Sequence, residues 1–177
     1  MVRPGAPHTQ ALFKSKSGGG QNREGKKMAS VAAACILLLV LTTVIHYEIL
    51  RLLSVGLPVL KVPARAKLIV VIIGTFLAHA LEIFLYAFAF YVLSRHAAAG
   101  MLGDAGGSSL TLSLYFSAET YTSLGYGDVV PGGDLRMLAG MEALNGLLLI
   151  GWSASYTYIA MSRFWSQDGQ ADPSGGI

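Results

Sequence analysis

The chain has 177 residues, enough for one domain; 53% are hydrophobic, only 13% are charged and 21 are glycine, a balance that sets aside the water-soluble classes and places it in a membrane. Cys35 is the one cysteine, so no internal disulfide can form and no zinc-ligand spacing exists. The net charge of +3 belongs to one end: residues 1–27 carry Arg3, Lys14, Lys16, Arg23, Lys26 and Lys27 against Glu24, which leaves the remainder negative.

Residues 1–27 are rich in Gly, Ser, Pro and Lys and lack apolar periodicity, so they are expected to form a disordered basic tail. A bland solvated tail is the plainer reading; docking on anionic lipid or nucleic acid is the alternative. A signal peptide fits the basic start, but the apolar run is too long for one and no small-x-small site follows. Met28, directly before the first apolar segment, is an alternative start.

Three apolar segments, 29–47, 68–93 and 135–161, reach the roughly 20 residues that cross a hydrocarbon core. They predict an all-α membrane protein. The first ends near His46, Tyr47 and Glu48, residues suited to an interface. Pro58 and Pro63 break the loop that follows. Its Arg51, Lys61, Arg65 and Lys67 favour the cytoplasmic side.

The second segment carries His79 and Glu82, three apart and on one face. Ionisable groups this deep are costly and point to function. They read first as a hydrogen-bonded pair facing neighbouring helices, with Glu142 as a candidate partner. Proton sensing and a metal site with no identifiable third ligand are the alternatives. Arg95 to Gly107 is a Gly- and Ala-rich loop.

Segment 109–122 spans about 20 Å as a helix, too short to cross. A short helix feeding irregular backbone at membrane depth needs protein or water around it, which predicts a re-entrant helix. It runs into Ser123-Leu124-Gly125-Tyr126-Gly127. A bare monovalent cation needs oxygens to replace its hydration shell, and backbone carbonyls can supply them. Alternating left- and right-handed backbone aims successive carbonyls one way, and Gly125 and Gly127 sit at alternate positions. Ser123 can add a hydroxyl.

This stretch resembles the signature of potassium channels, typically Thr-Val-Gly-Tyr-Gly, with Ser123 for the threonine and Leu124 for the valine. The resemblance runs from about Tyr115 to Met161; segment 68–93 fits the outer helix in position only, and the first helix lies outside the shared module. It implies K+ held by Ser123, Leu124, Gly125 and Tyr126, and no other cofactor. Tyr115, Phe116 and Thr122 would brace this filter. Glu119 and Asp128 match a glutamate and an aspartate that meet behind the filter of the bacterial prototype. The expectation is a protonated Glu119 bonded to Asp128, since two close carboxylates cannot both ionise; two exposed carboxylates at the mouth are the alternative.

The same resemblance aligns Gly146 and Gly151 of the last helix with two family glycines, as a gating hinge or as close-packing points. Leu147, Ile150 and Ala154 would face the cavity. Glu142 and Asn145 fall on other faces and are expected to bond between helices, while Trp152, Ser153 and Ser155 pack there.

The implied domains are a tail 1–27, a first transmembrane helix with its loop 28–66, a pore domain 67–163 and a disordered tail 164–177. An outward filter puts the loop 51–67 in the cytoplasm and the N-terminus outside, against its basic charge. A start at Met28, or a first helix lying along the interface, would remove that conflict; the uniform apolar faces favour the former.

The function implied is a potassium-selective channel in the plasma (inner) membrane, a multi-pass homotetramer contacting lipid, with no nucleic-acid partner and no small-molecule substrate. No helix of periodic arginines points to voltage sensing. A weakly selective monovalent cation channel and a non-conducting membrane scaffold are the rivals. No nucleophile–base set or phosphate loop suggests an enzyme.

Overall fold

The computed structural model describes residues 7–96, 99–103 and 109–170, with side chains over 24–63, 65–95, 99–103 and 109–163. Four helices account for nearly all of it: α1 (Pro7–Val59), α2 (Ala64–His96), α3 (Leu110–Tyr121) and α4 (Leu135–Gln170). Lipid offers backbone groups no hydrogen bonds, so apolar segments of this length close every bond within themselves as helices. Glu24–Val59, Arg65–Arg95 and Leu135–Arg163 are each long and apolar enough to cross a membrane. The chain is an all-α, multi-pass membrane protein.

Both ends of the expected architecture shift. The backbone of residues 7–27 continues α1 as helix, where composition predicts a disordered tail. Composition weighs what a segment can bury, whereas helix propagation from an already formed apolar stretch adds a backbone bond per residue fixed. For the same reason α4 runs on to Gln170, so residues 164–170 are helical and only 171–177 of the expected second tail lie outside the described residues.

Pro58 lies inside α1 rather than in the loop. It lacks the N–H that would reach back to Ser54, the helix ends one residue later, and the connection shrinks to residues 60–63. The Pro63 carbonyl accepts from the Ala66 and Lys67 N–H groups at 2.9 and 3.2 Å and starts α2.

α1 packs along α2 and α4, a third wall of the bundle rather than a helix lying flat on an interface. Its buried residues Val31, Cys35, Leu38, Thr42 and His46 fall at spacings of three and four. That seam lies on one face. Hydropathy could not reveal it, because Ile36, Leu37, Val40 and Val44 on the other faces are equally apolar and exposed.

The interior has three layers. At one end Val31, Cys35, Tyr86, Phe90, Phe116, Leu135 and Leu138 form an apolar cluster. At the other, Leu57, Val71 and Ala160 form a smaller one. Between them lie the buried polar residues Thr42, His46, Glu82, Glu142, Asn145 and Ser153.

The connections flanking α3 are tied together. Leu102 bridges Pro131 in antiparallel fashion. The Gly103 N–H donates to the Val130 carbonyl at 3.1 Å, Gly132 to Met101 at 2.8 Å and Asp134 to Ala99 at 2.8 Å. A Cβ on Gly100 would lie 2.0 Å from the Gly132 carbonyl oxygen, so this pairing needs glycine. Glu24, Lys27 and Met28 share a cleft with Ala99, Gly100, Gly133 and Asp134, so the N-terminal end of the α1 span lies at this end of the bundle.

Candidate functional site

Ser109 caps α3: its backbone is extended, and its hydroxyl accepts from the Thr111 N–H at 3.2 Å. Phe116 anchors the helix edge-on to Phe90 of α2, ring centroids 5.0 Å apart. At the other end Thr122 returns its hydroxyl to the Ala118 carbonyl at 2.7 Å.

The chain then leaves the helix in alternation. Ser123, Gly125 and Gly127 have φ of +58°, +56° and +80°, while Leu124 and Tyr126 between them stay on the negative side. Ser123 is the one non-glycine with positive φ among the described residues. The Glu119 carbonyl accepts from Leu124 N–H at 2.8 Å and Gly125 N–H at 3.4 Å, which folds the segment back over the helix end. Leu124 and Tyr126 leave 58% and 69% of their surface uncovered, in contrast to the buried Phe116 and Glu119 beneath them.

The two acidic residues take partners other than each other. Buried Glu119 accepts from the Tyr126 N–H through Oε2 at 3.4 Å. Asp128 accepts from the Tyr115 hydroxyl at 2.9 Å. The expected Glu119–Asp128 bond is therefore replaced by two ties, at Tyr126 and at Asp128, both toward the far end of the segment. The bond to Asp128 pushes the Tyr115 phenol up to about 12, because losing its proton would set two negative oxygens side by side.

A family model described as "Ion channel" matches residues 68–163, more than half of the chain. The chain belongs to the potassium channel pore-domain family. It is similar to the inward rectifier potassium channel Kirbac3.1 of Paramagnetospirillum magnetotacticum, 32% identical over 82 residues, which is 46% of this chain. The chain spans 28% of that relative's length. No solved structure matches it. The family match begins in α2, so α1 lies outside it.

The two α4 glycines that the resemblance singles out are unlike. Gly146 is buried, and a Cβ there would lie 2.2 Å from the Tyr121 carbonyl oxygen. Its lack of a side chain lets α4 reach the end of α3. Gly151 is exposed and a Cβ would meet nothing within 4 Å. Leu147 and Ala154 lie on the same exposed side as Gly151; Ile150, beside them, is half-buried and packs on the apolar cluster.

The interior polar residues bond between helices. Asn145 Nδ2 donates to Thr42 Oγ1 at 2.8 Å and to the Tyr86 hydroxyl at 3.2 Å, joining α4 to α1 and α2. Ser117 Oγ meets Glu142 Oε1 and also donates to the Ile83 carbonyl at 2.8 Å. Glu142 Oε2 is buried without a hydrogen-bond partner. Ser155 is exposed, not packed between helices, and donates to the Gly151 carbonyl at 3.0 Å.

Glu82 is the centre of a separate set that excludes Glu142. Its Oε1 pairs with His46 Nδ1 at 2.9 Å and its Oε2 with His79 Nδ1 at 3.2 Å. Oε2 also accepts from the Tyr121 hydroxyl. His46 Nε2 meets Ser153 Oγ at 3.1 Å. Sequence reading put His46 at a membrane interface; it is fully buried, because α1 continues thirteen residues past it to Val59. Its spacing from Glu82 carries no periodic signal, since the two sit on different helices.

Proposed function

We propose that the chain is one subunit of a homotetrameric channel that conducts K+ passively and selectively across the plasma membrane, with α3 as its re-entrant pore helix and Ser123-Leu124-Gly125-Tyr126-Gly127 as its filter. The observation that carries this reading is the alternation of backbone sign at Ser123, Gly125 and Gly127. Alternating handedness turns successive carbonyls toward one side, the arrangement that can replace a potassium ion's water. Glycine at two of the three positions adopts it without a Cβ clash.

One chain supplies one set of oxygens and a filter needs a ring, so four copies are required. In that assembly α3 aims its C-terminus, the partial-negative end of its dipole, at the axis and favours a cation there. Glu119 and Thr122 hold the inner part of the segment, Tyr115 and Asp128 its outer end, and Phe116 anchors α3 to α2. Leu147 and Ala154 line the cavity, and Gly146 and Gly151 are the two positions where α4 could bend. The relative named above is itself called an inward rectifier potassium channel, which agrees with K+ as the ion carried.

Purified protein in liposomes tests the reading. A potassium gradient should drive ion flux, and reversal potentials in mixed sodium and potassium should follow potassium. Flux that follows both ions equally would assign a weakly selective channel, a result that Ser123 and Leu124 in place of the family's Thr and Val make worth testing. Impermeable vesicles, with particles lacking fourfold symmetry, would leave a non-conducting membrane subunit.

A further inference from the structure

We propose that His46, His79 and Glu82 form a binding site for a divalent transition-metal ion of the zinc class, inside the membrane and distinct from the path of the permeant ion. The proposal does not depend on conduction.

The donor set is the first argument. Two imidazole nitrogens and a carboxylate oxygen, one from α1 and two from α2, all lie within 4.8 Å of one another. No other described residues bring three such groups together. In a tetrahedral site with ligands at about 2.0–2.2 Å, donor atoms stand roughly 3.3 Å apart. His46 Nδ1 and His79 Nδ1 already stand 2.9 and 3.2 Å from the two Glu82 oxygens. Small side-chain rotations therefore suffice. Imidazole with carboxylate suits zinc, nickel and copper, whereas potassium, magnesium and calcium favour oxygen alone.

The surrounding bonds are the second argument. A histidine ligand normally has its far nitrogen held by a hydrogen-bond partner, which fixes ring and tautomer. Ser153 Oγ stands 3.1 Å from His46 Nε2 and can accept its proton, leaving Nδ1 bare toward the ion. The Tyr121 hydroxyl, 2.9 Å from His79 Nδ1, is placed to supply a fourth ligand. His79 is 18% exposed, while His46 and Glu82 are fully enclosed.

Trp152 supplies a reporter, its indole centred 5.5 Å from the His46 ring. The chain has two tryptophans, so Trp165→Phe leaves Trp152 as the single indole. The full-length Trp165→Phe protein, purified without a metal-binding tag and stripped with a chelator, is titrated with Ni2+. A saturable quench at one ion per chain, reversed by excess Zn2+, is expected. His79→Ala, at the partly exposed ligand, and Glu82→Gln, which keeps hydrogen-bonding capacity, should each weaken binding at least tenfold. Zn2+ should also raise the unfolding temperature of the unsubstituted protein and leave that of His79→Ala unmoved. The absence of a saturable quench, a quench that zinc does not reverse, or binding in both variants as tight as in the Trp165→Phe parent overturns the site. No readout involves ion flux, so such a failure leaves the channel reading standing.

Discussion

Ser123 holds a left-handed backbone that L-residues with a Cβ adopt at a cost of about 1–2 kcal/mol. Its neighbours in the same conformation, Gly125 and Gly127, avoid it. Two substitutions separate the strain from the hydroxyl. Ser123→Ala keeps the strain and loses the oxygen; Ser123→Gly loses both. The glycine variant should unfold later than the alanine one by about 1 kcal/mol. Both should shift the reversal potential alike if the hydroxyl helps hold the ion.

Tyr115 and Asp128 make a second residue-scale case. A phenol whose folded value is raised to about 12 contributes its bond fully below the ordinary tyrosine range, and loses it as pH rises through that folded value. The tie should therefore persist from neutral pH to about 10. Absorbance titration of tyrosinate should show one fewer late-titrating phenol in Tyr115→Phe. Loss of a phenol that titrates near the ordinary value of about 10 would mean that Asp128 does not hold the hydroxyl in solution. Hydrogen counting makes a third case. Ser117 Oγ lies within reach of both the Ile83 carbonyl and Glu142 Oε1, and its single hydrogen can serve only one of them at a time. Glu142→Gln can donate in the same place and should preserve assembly and thermal stability, whereas Glu142→Lys should abolish both. A glutamine variant as damaged as the lysine one would show that the carboxylate is charged.

At the scale of elements, the contact between α3 and α4 turns on one missing side chain. A methyl group at Gly146 would have to displace the Tyr121 carbonyl two residues before Ser123. Overpacking of this kind costs about 1–3 kcal/mol. Gly146→Ala should lower the unfolding temperature and disturb ion selectivity, while Gly151→Ala should change stability little, since nothing lies within 4 Å. If the two variants behave alike, the glycines act by flexibility rather than by close approach. α1 shows how an element can be legible without its role. Its length and hydropathy predict a spanning helix, yet every face reads as apolar, so the buried Thr42–His46 edge emerges only against α2 and α4.

For the molecule as a whole, the polar layer between two apolar clusters makes α1 part of the core. Thr42 serves Asn145, and His46 serves both Glu82 and Ser153. A chain beginning at residue 64 would take one partner each from Asn145, Glu82 and Ser153 at membrane depth, where an unsatisfied polar group costs several kcal/mol. Such a chain should fail to yield stable oligomers by size-exclusion chromatography, although the family match starts only at residue 68. Recovery of a stable oligomer without α1 would show that the polar layer is satisfied by other means.

The helical architecture was legible from hydropathy alone, because a membrane leaves an apolar segment of this length one way to satisfy its backbone. The alternating backbone at 123–127 was legible too, since glycine at every second position records a local demand that no distant contact can alter. Which carboxylate meets which donor was not. Glu119 binds Tyr126 instead of Asp128, and Glu82 gathers His46, His79 and Tyr121 from three helices. Those pairings depend on how helices rotate against one another, and a helix apolar on all sides carries no mark of the face it will bury.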